Sequence, residues 1–289
     1  MNGILIIDKP QGWTSHDVVA KLRGLLRIRR IGHGGTLDPM ATGVLPVFIG
    51  RATRAVMFCE DFDKEYTARL QLGIVTDTQD TTGSILSQSD ASGVTLTDIL
   101  AVLPRFTGEI MQVPPMYSAV KVGGKKLYEL ARRGIEAERP ARPVTIHALT
   151  ARQDEGGFIL DVACSKGTYV RTLCHDIGQV LGCGAAMSAL RRTRVGPFTL
   201  GDAVGLDAVQ DAAQKGKAES LVRPVDTLFA AYPAVTINEA QKKRCLSGSA
   251  FPIDAQDGLY RVYDAGQTFL MLGRVENGAM KTVRSFFQP

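Results

Sequence analysis

The sequence predicts an α+β protein in which a larger domain of interleaved strands and helices carries a small β-rich domain at its C-terminal end. Its 289 residues, 45% of them hydrophobic, suffice for one substantial core and an appendage but not for three domains. Alternating stretches such as Tyr66, Ala68, Leu70 and Leu72 sit among stretches of helical period such as Val18, Val19, Leu22, Leu25 and Leu26. From Tyr232 the pattern changes to short strands broken by Asp264-Ala265-Gly266 and Asn277-Gly278, the turn chemistry of hairpins in a small β-barrel.

The apolar run Ile4 to Ile7 reads as a strand that ends in Asp8-Lys9-Pro10 and a Gly12 turn. Thr14 with Asp17 three residues on is a capping-box pattern, so a helix follows, and its basic end is expected to point toward the glycine-rich loop after it. A strand over Tyr66 to Leu72 leads to an acidic loop, Thr76 to Gly83, and Thr95 to Leu103 starts a helix closed by Pro104. Pro114 to Pro143 combines prolines, a Gly123-Gly124 turn and a basic helix-like piece around Leu127 to Arg133, the marks of a projecting insertion. Val144 to Leu149 and Phe158 to Ala163 read as strands, and a helix runs from the Lys166-Gly167-Thr168-Tyr169 turn through Leu181. A linker-like stretch around Gln214 to Glu219 precedes the C-terminal strands and a helix at Ala240 to Leu246.

No stretch approaches the roughly 20 apolar residues that span a bilayer, and the first residues lack the basic start and cleavage site of a signal peptide, so a cytoplasmic protein is expected. Five cysteines without a C-x-x-C pair argue against a disulfide framework and a structural zinc site. The net charge of +5 is unevenly spread: Lys21 to Arg30 carries +5, Pro114 to Pro143 +4 and Ser188 to Gly196 +3, which leaves −7 for the rest. Such segregation suits a polyanionic partner.

The segment GHGGTLDPMATGVL is too rich in glycine for a helix and lacks the alternation of a strand. Gly34 and Gly35 allow close backbone approaches, and Pro39 restricts Asp38 to extended backbone, which fixes where that carboxylate points. A carboxylate so held serves as a nucleophile, a general base, a metal ligand or a turn cap. The loop matches neither phosphate-binding glycine pattern, and there is no G-x-S-x-G elbow for a serine hydrolase. His33 could join Asp38 as a ligand, but His16, His147 and His175 occur singly, so no metal is expected.

GHGGTLDPMATGVL resembles the catalytic loop of the TruB-type tRNA pseudouridine-55 synthases. IIDKPQGWTSHDVV resembles that family's N-terminal motif, EYTARLQLGIVTDTQDTTG its tyrosine strand and following loop, and PPMYSAVKVGGKKLYELARRG the segment before its RNA-gripping insertion. CSKGTYVRTLCHDIG is similar to its arginine-bearing motif and LRRTRVGPF to its basic motif, all in family order over roughly Ile4 to Phe198. The resemblance of the C-terminal part, to PUA modules, is looser.

This resemblance implies a largely antiparallel central sheet flanked by helices, a catalytic domain over 1–225 with the RNA-gripping insertion at about 114–143, and a PUA-like domain over 230–289. It makes Asp38 the carboxylate that initiates cleavage of the N-glycosidic bond of a uridine flipped out of the tRNA T-loop, with the base rejoined through C5. Attack on C1′, addition to uracil C6 and removal of the C2′ proton all stay open as routes. Arg171 matches the arginine that pairs with this aspartate, and Tyr66 the tyrosine that stacks on the base. His33 matches a residue that props the disrupted RNA loop, and Leu190 an apolar wall of the pocket. Lys9 and Pro10 match positions that mainly support the loop. Lys9, Gly34, Gly35, Lys125, Lys126 and Arg192 are expected beside His33 and Leu190 in the substrate-binding set. No cofactor and no metal are implied, nor an obligatory protein partner; a monomer acting on the T-arm of tRNA is expected. The rivals are an RNA-binding chaperone that retains the fold and a guide-RNA-dependent relative.

Overall fold

The structure, a computed structural model, describes residues 1–287. β1 (Gly3–Lys9) ends the main sheet yet is buried: Leu5 and Ile7 pack into one apolar cluster and Ile4 and Ile6 into another, while Arg223 exchanges backbone hydrogen bonds with Ile4 and the amide of Asp8 donates to Val204 along its outer edge. α1 (Ser15–Leu26) starts where Thr14 and Asp17 cap each other reciprocally, and Arg27, at φ 55°, ends it in the left-handed region. β2 (Ile31–His33) then runs antiparallel to β3 (Thr42–Ile49), which pairs with β1 as well. The chain has doubled back, so the glycine-rich loop between β2 and β3 returns to the start of α1, where Ser15 and Leu37 exchange hydrogen bonds. The expectation that the basic end of α1 faces this loop is thereby corrected: twelve residues of helix put that end about 18 Å from it.

α2 (Val56–Glu60) leads into β4 (Lys64–Leu72), and β5 (Ile74–Thr76) pairs with β6 (Ile85–Gln88) around the acidic loop. α3 (Leu96–Val102) carries a second reciprocal cap, Thr95 with Asp98, and β7 (Gly108–Gln112) closes the far side of the sheet. In the insertion, β8 (Lys121–Val122) and β9 (Lys125–Lys126) flank Gly123 and Gly124, whose φ values of 58° and 82° make the tight turn. α4 (Leu127–Ala131) is shorter than the expected helix to Arg133, and Pro114, Pro115, Ser118 and Leu127 are buried, so the insertion is anchored rather than wholly projecting.

β10 (Arg142–Asp154) and β11 (Gly157–Cys164) form a hairpin longer than the sequence suggested. Its outer half carries Arg152 paired with Asp161 and Asp154 paired with Arg69, charges that conceal the apolar alternation of a strand. α5 (Val170–Leu181), β12 (Ala185–Val195), β13 (Phe198–Thr199) and α6 (Leu206–Gln214) complete this part. The main sheet has nine strands in the order β1-β3-β12-β4-β11-β10-β7, with β2 on β3 and β13 on β12. Its pairs are antiparallel except β12 with β3, so the mixed, largely antiparallel sheet implied by the resemblance is present.

The C-terminal part comprises β14 (Ala234–Thr236), α7 (Glu239–Leu246), β15 (Phe251–Pro252), β16 (Gly258–Tyr263), β17 (Phe269–Glu276) and β18 (Ala279–Ser285). Asn277 and Gly278, both at positive φ, join β17 to β18, the hairpin their sequence announced. The five strands run β14-β16-β17-β18-β15, an open sheet rather than a closed barrel, with Ile237, Cys245 and Phe251 under it. A shared apolar cluster joins this sheet to the main one: Phe229 and Phe286 pack with Ile4, Phe48, Val195 and Leu272.

Candidate active site

Asp38 lies at the turn of the loop between β2 and β3, and every backbone carbonyl from Gly35 to Pro39 accepts a hydrogen bond. The Arg192 guanidinium donates to Gly35 O at 3.0 Å and to Thr36 O at 3.4 Å, and Ser15 Oγ to Leu37 O at 3.2 Å. The Ala41 amide donates to Asp38 O at 3.0 Å. Pro39 O takes the Gly12 amide at 2.8 Å and the Lys9 ammonium at 3.3 Å. A loop without internal ladder bonds is thus fixed from three sides by β1, α1 and β12.

The carboxylate itself meets Arg171, whose Nε lies 3.0 Å from Asp38 Oδ2. Arg171 is the second residue of α5 and is buried, and its remaining donors are spent on Thr78 O at 3.0 Å, Tyr117 O at 2.9 Å and the Asp80 carboxylate at 3.4 Å. Asp80 is buried in turn, and its Oδ1 accepts from Thr78 Oγ1, Thr82 Oγ1 and the Thr82 amide. The start of α5 is set by Gln112, whose side-chain amide takes both the N–H and the C=O of Tyr169 as a strand neighbour would.

A cation at hydrogen-bond distance ordinarily lowers a carboxylate pKa. Arg171 does act in that direction, but burial outweighs it and Asp80 adds repulsion, so the carboxyl is raised above its ordinary range. About 37% of the Asp38 side chain stays exposed, which leaves it reachable from outside. Tyr66, half-buried on β4, has its hydroxyl raised by burial, with the Arg192 guanidinium opposing, and is a neutral phenol at neutral pH. A cleft of about 240 Å³ beside the loop has Met40, Thr42, Thr67, Ala189 and Leu190 in its wall. His33 ends β2 with its Nδ1 buried and without a partner, and burial holds its pKa down, so its imidazole is neutral.

Several residues expected to touch substrate are placed elsewhere. Lys9 has no exposed surface: its ammonium sits among the carbonyls of Pro10, Trp13 and Pro39, and burial lowers its pKa to about 8. It supports the loop and cannot contact RNA. Arg192, 1% exposed, is corrected in the same way. Gly34 is buried against Cys59, where a Cβ would come within 2.6 Å of Sγ, so it serves packing; Gly35, at φ 79°, lies half-buried over Arg192. In the third basic run Arg191 pairs with Asp8 at 2.7 Å and Arg194 with Glu65 at 3.2 Å, so part of its charge is balanced within the protein. The first run stays exposed, as does Lys125 on the insertion, while Lys126 leans on Tyr128 at 5.4 Å from the ring centre.

Asp80 is the functional residue that sequence reasoning passed over as part of an acidic loop. Its signal is the threonine on either side in Thr78-Gln79-Asp80-Thr81-Thr82, hydroxyls spaced to cap a carboxylate turned inward. All five cysteines are buried and unbridged. Among the described residues no group of histidine, cysteine, aspartate and glutamate could hold a metal, and no helix is long and apolar enough to cross a membrane.

The chain is similar to known proteins in sequence and in fold. The family model described as TruB family pseudouridylate synthase (N terminal domain) matches residues 23–170, and that of the tRNA pseudouridylate synthase B C-terminal domain matches 171–230. The chain is 45% identical to a tRNA pseudouridine synthase B of Pelotomaculum thermopropionicum, over 94% of this chain and 88% of that one. With the protein of the same name from Clostridium kluyveri it is 42% identical, over 99% and 100%. Among solved structures, a Cbf5-Nop10-Gar1 complex contains a chain that superposes with a TM-score of 0.75 at 30% identity, covering 99% of this chain and 85% of that one. An H/ACA RNP bound to a substrate RNA containing 2'-deoxyuridine gives a TM-score of 0.73 at 26% identity, with 99% and 85% covered. With matches over this much of its length, the chain belongs to the TruB family of pseudouridylate synthases.

Proposed function

We propose that this chain isomerises uridine to pseudouridine at position 55, in the T-loop of tRNA, with Asp38 as the group that initiates cleavage of the N-glycosidic bond. The observation that carries the reading is the Asp38–Arg171 pair at 3.0 Å, a carboxylate with a fixed direction on a loop whose carbonyls are all engaged. Attack on C1′, addition to uracil C6 and removal of the C2′ proton each need that carboxylate ionised and aimed; the arginine aims it and favours its ionised form against the opposing effect of burial. Isomerisation exchanges one bond to the ribose for another, so no redox partner or energy source enters the balance. The uridine has to leave its stack at a cost of a few kcal/mol, which stacking on Tyr66 and contact with Leu190 are placed to offset. His33, half-buried at the end of β2, is the residue we assign to propping the disrupted RNA loop.

We further infer a monomer working without a protein partner in the cytoplasm, with a catalytic domain over 1–225 and a PUA-like domain over 230–289 that adds RNA contact. Phosphate contacts fall to the exposed run Lys21 to Arg30 and to Lys125, Arg132 and Arg133 of the insertion. The test is tritium release from tRNA carrying [5-³H]uridine. Wild type is expected to release the label and Asp38→Asn to bind the same tRNA without releasing it; equal release from both would remove Asp38 from the chemistry.

A further inference from the structure

Arg192 is among the largest fully buried side chains of the protein, and no carboxylate pairs with it among the described residues. Its Nε donates to Val44 O at 2.8 Å, and its two terminal nitrogens donate to Gly35 O at 3.0 Å and Thr36 O at 3.4 Å. The first carbonyl lies on β3 after the Asp38 loop and the other two lie before Asp38, so one planar group ties the two arms of the loop together. The backbone joins in: Arg192 is in parallel register with Gly43, and a Cβ on Gly43, at φ 101°, would overlap the Arg192 carbonyl oxygen. Across the other edge of β12, Arg192 stands directly opposite Tyr66 on β4, and side chains of opposed residues share a face. Burying a cation without a counter-ion is costly, and an apolar side chain of this volume would pack the site at less cost to stability. A forked cation here is therefore explained by what it holds.

We propose that Arg192 is a positioning residue of the isomerisation, which sets the Asp38 loop and Tyr66 in register across β12. This rests on the proposed function, and it extends that reading to a residue that touches neither RNA nor the reacting atoms. A lysine at this position keeps the charge and has three donors, but all of them sit on one nitrogen, so it does not reproduce the spacing with which the planar fork reaches Val44 on one arm of the loop and Gly35 on the other. Misplacing a catalytic group by about 1 Å costs on the order of 100-fold.

The experiment measures the single-turnover rate at saturating [5-³H]uridine tRNA, the tRNA Kd and the folded fraction by circular dichroism. It compares wild type, Arg192→Lys, Arg192→Met, Tyr66→Phe and the Arg192→Lys/Tyr66→Phe double variant. The expected result is a Kd within about threefold of wild type for Arg192→Lys and Arg192→Met, with the rate per folded molecule lower by on the order of 100-fold. The Arg192→Lys loss should be at least about threefold smaller in the Tyr66→Phe background, where part of what the guanidinium aligns is gone. A folded Arg192→Met with the wild-type rate would overturn the proposal, as would a raised Kd with an unchanged rate at saturation, equal losses in the two backgrounds, or failure of both Arg192 variants to fold. Absence of tritium release from wild type itself is a separate outcome: it refutes the isomerase reading on which the proposal rests.

Discussion

At the scale of single residues the site is a competition between burial and charge. Asp38 has its pKa raised because burial outweighs Arg171, so its folded-state value lies above the roughly 3.9 of the unfolded chain. The folded state then binds the proton more tightly than the unfolded state does. Any stability gained from the protonated carboxyl is present below the unfolded pKa and is lost as pH rises through the folded one. Two outcomes follow for this residue. The acid limb of the rate profile with tRNA should fall at a pH above the ordinary aspartate range, since ionised Asp38 is the active form. Asp38→Asn should melt at neutral pH no lower than wild type, as judged by calorimetry, and a lower melting temperature would mean that the Arg171 pair outweighs burial. Asp80 carries the opposite expectation. It holds the other side of Arg171 with its own side chain only 6% exposed, so Asp80→Asn should leave tRNA binding intact and lower the turnover rate at least about tenfold as Arg171 loses its second anchor. A wild-type rate in a folded Asp80→Asn would count against it. The position of Asp38 was legible in its loop, but the weight of Asp80 was not, because an aspartate among threonines reads as a solvated turn until Arg171 is seen beside it.

Elements whose ends are written in local chemistry were read accurately. The Thr14–Asp17 box starts α1 where its hydroxyl and carboxylate required, α3 follows Thr95 as expected, with a Thr95–Asp98 box that the structure adds, and Asn277-Gly278 makes its hairpin. What failed was direction and burial, which depend on distant partners. The basic end of α1 faces away from the loop because β2 reverses the chain, and of the arginines of β12 Arg192 is buried on backbone carbonyls while Arg191 and Arg194 stay partly exposed but paired with Asp8 and Glu65. The insertion is the element on which the electrostatic part of the function can be tested. Lys125 and Lys126 were both expected in the substrate-binding set, but Lys126 lies against Tyr128 while Lys125 is exposed. Replacing both with glutamine should therefore reduce the slope of log affinity against log salt by about one phosphate contact, roughly 0.7 to 0.9, rather than two. Titrations at several salt concentrations measure it, and an unchanged slope would exclude Lys125 and Lys126 from phosphate contact.

At the scale of the whole molecule the question is whether the C-terminal sheet is an independent appendage or part of the body that holds the site. The change of pattern at Tyr232 was visible in the sequence, while the joint was not, because its residues are contributed by distant segments: Ile4, Phe48, Val195, Phe229, Leu272 and Phe286 meet only after folding. Phe229 is central there, with its ring 5.2 Å from Phe58, 5.8 Å from Phe286 and 6.2 Å from Phe269, so it contacts both sides of the joint at once. Main-chain carbonyls of Ser285 and Phe287 also accept from Arg54 and Arg51 beside the main sheet. A core shared in this way couples the two sheets in unfolding. Phe229→Ala should cost about 3–5 kcal/mol, the usual range for emptying a buried aromatic site. The single tryptophan, Trp13, packs against the main core and its carbonyl is held by Lys9, so its fluorescence reports the catalytic side of the molecule alone. In urea, the Trp13 signal and the far-ultraviolet circular dichroism of Phe229→Ala should shift together to lower denaturant. A Trp13 transition that stays at the wild-type midpoint while the dichroism splits into two steps would mean that the sheets fold separately and that the loop carrying Asp38 owes nothing to the C-terminal half.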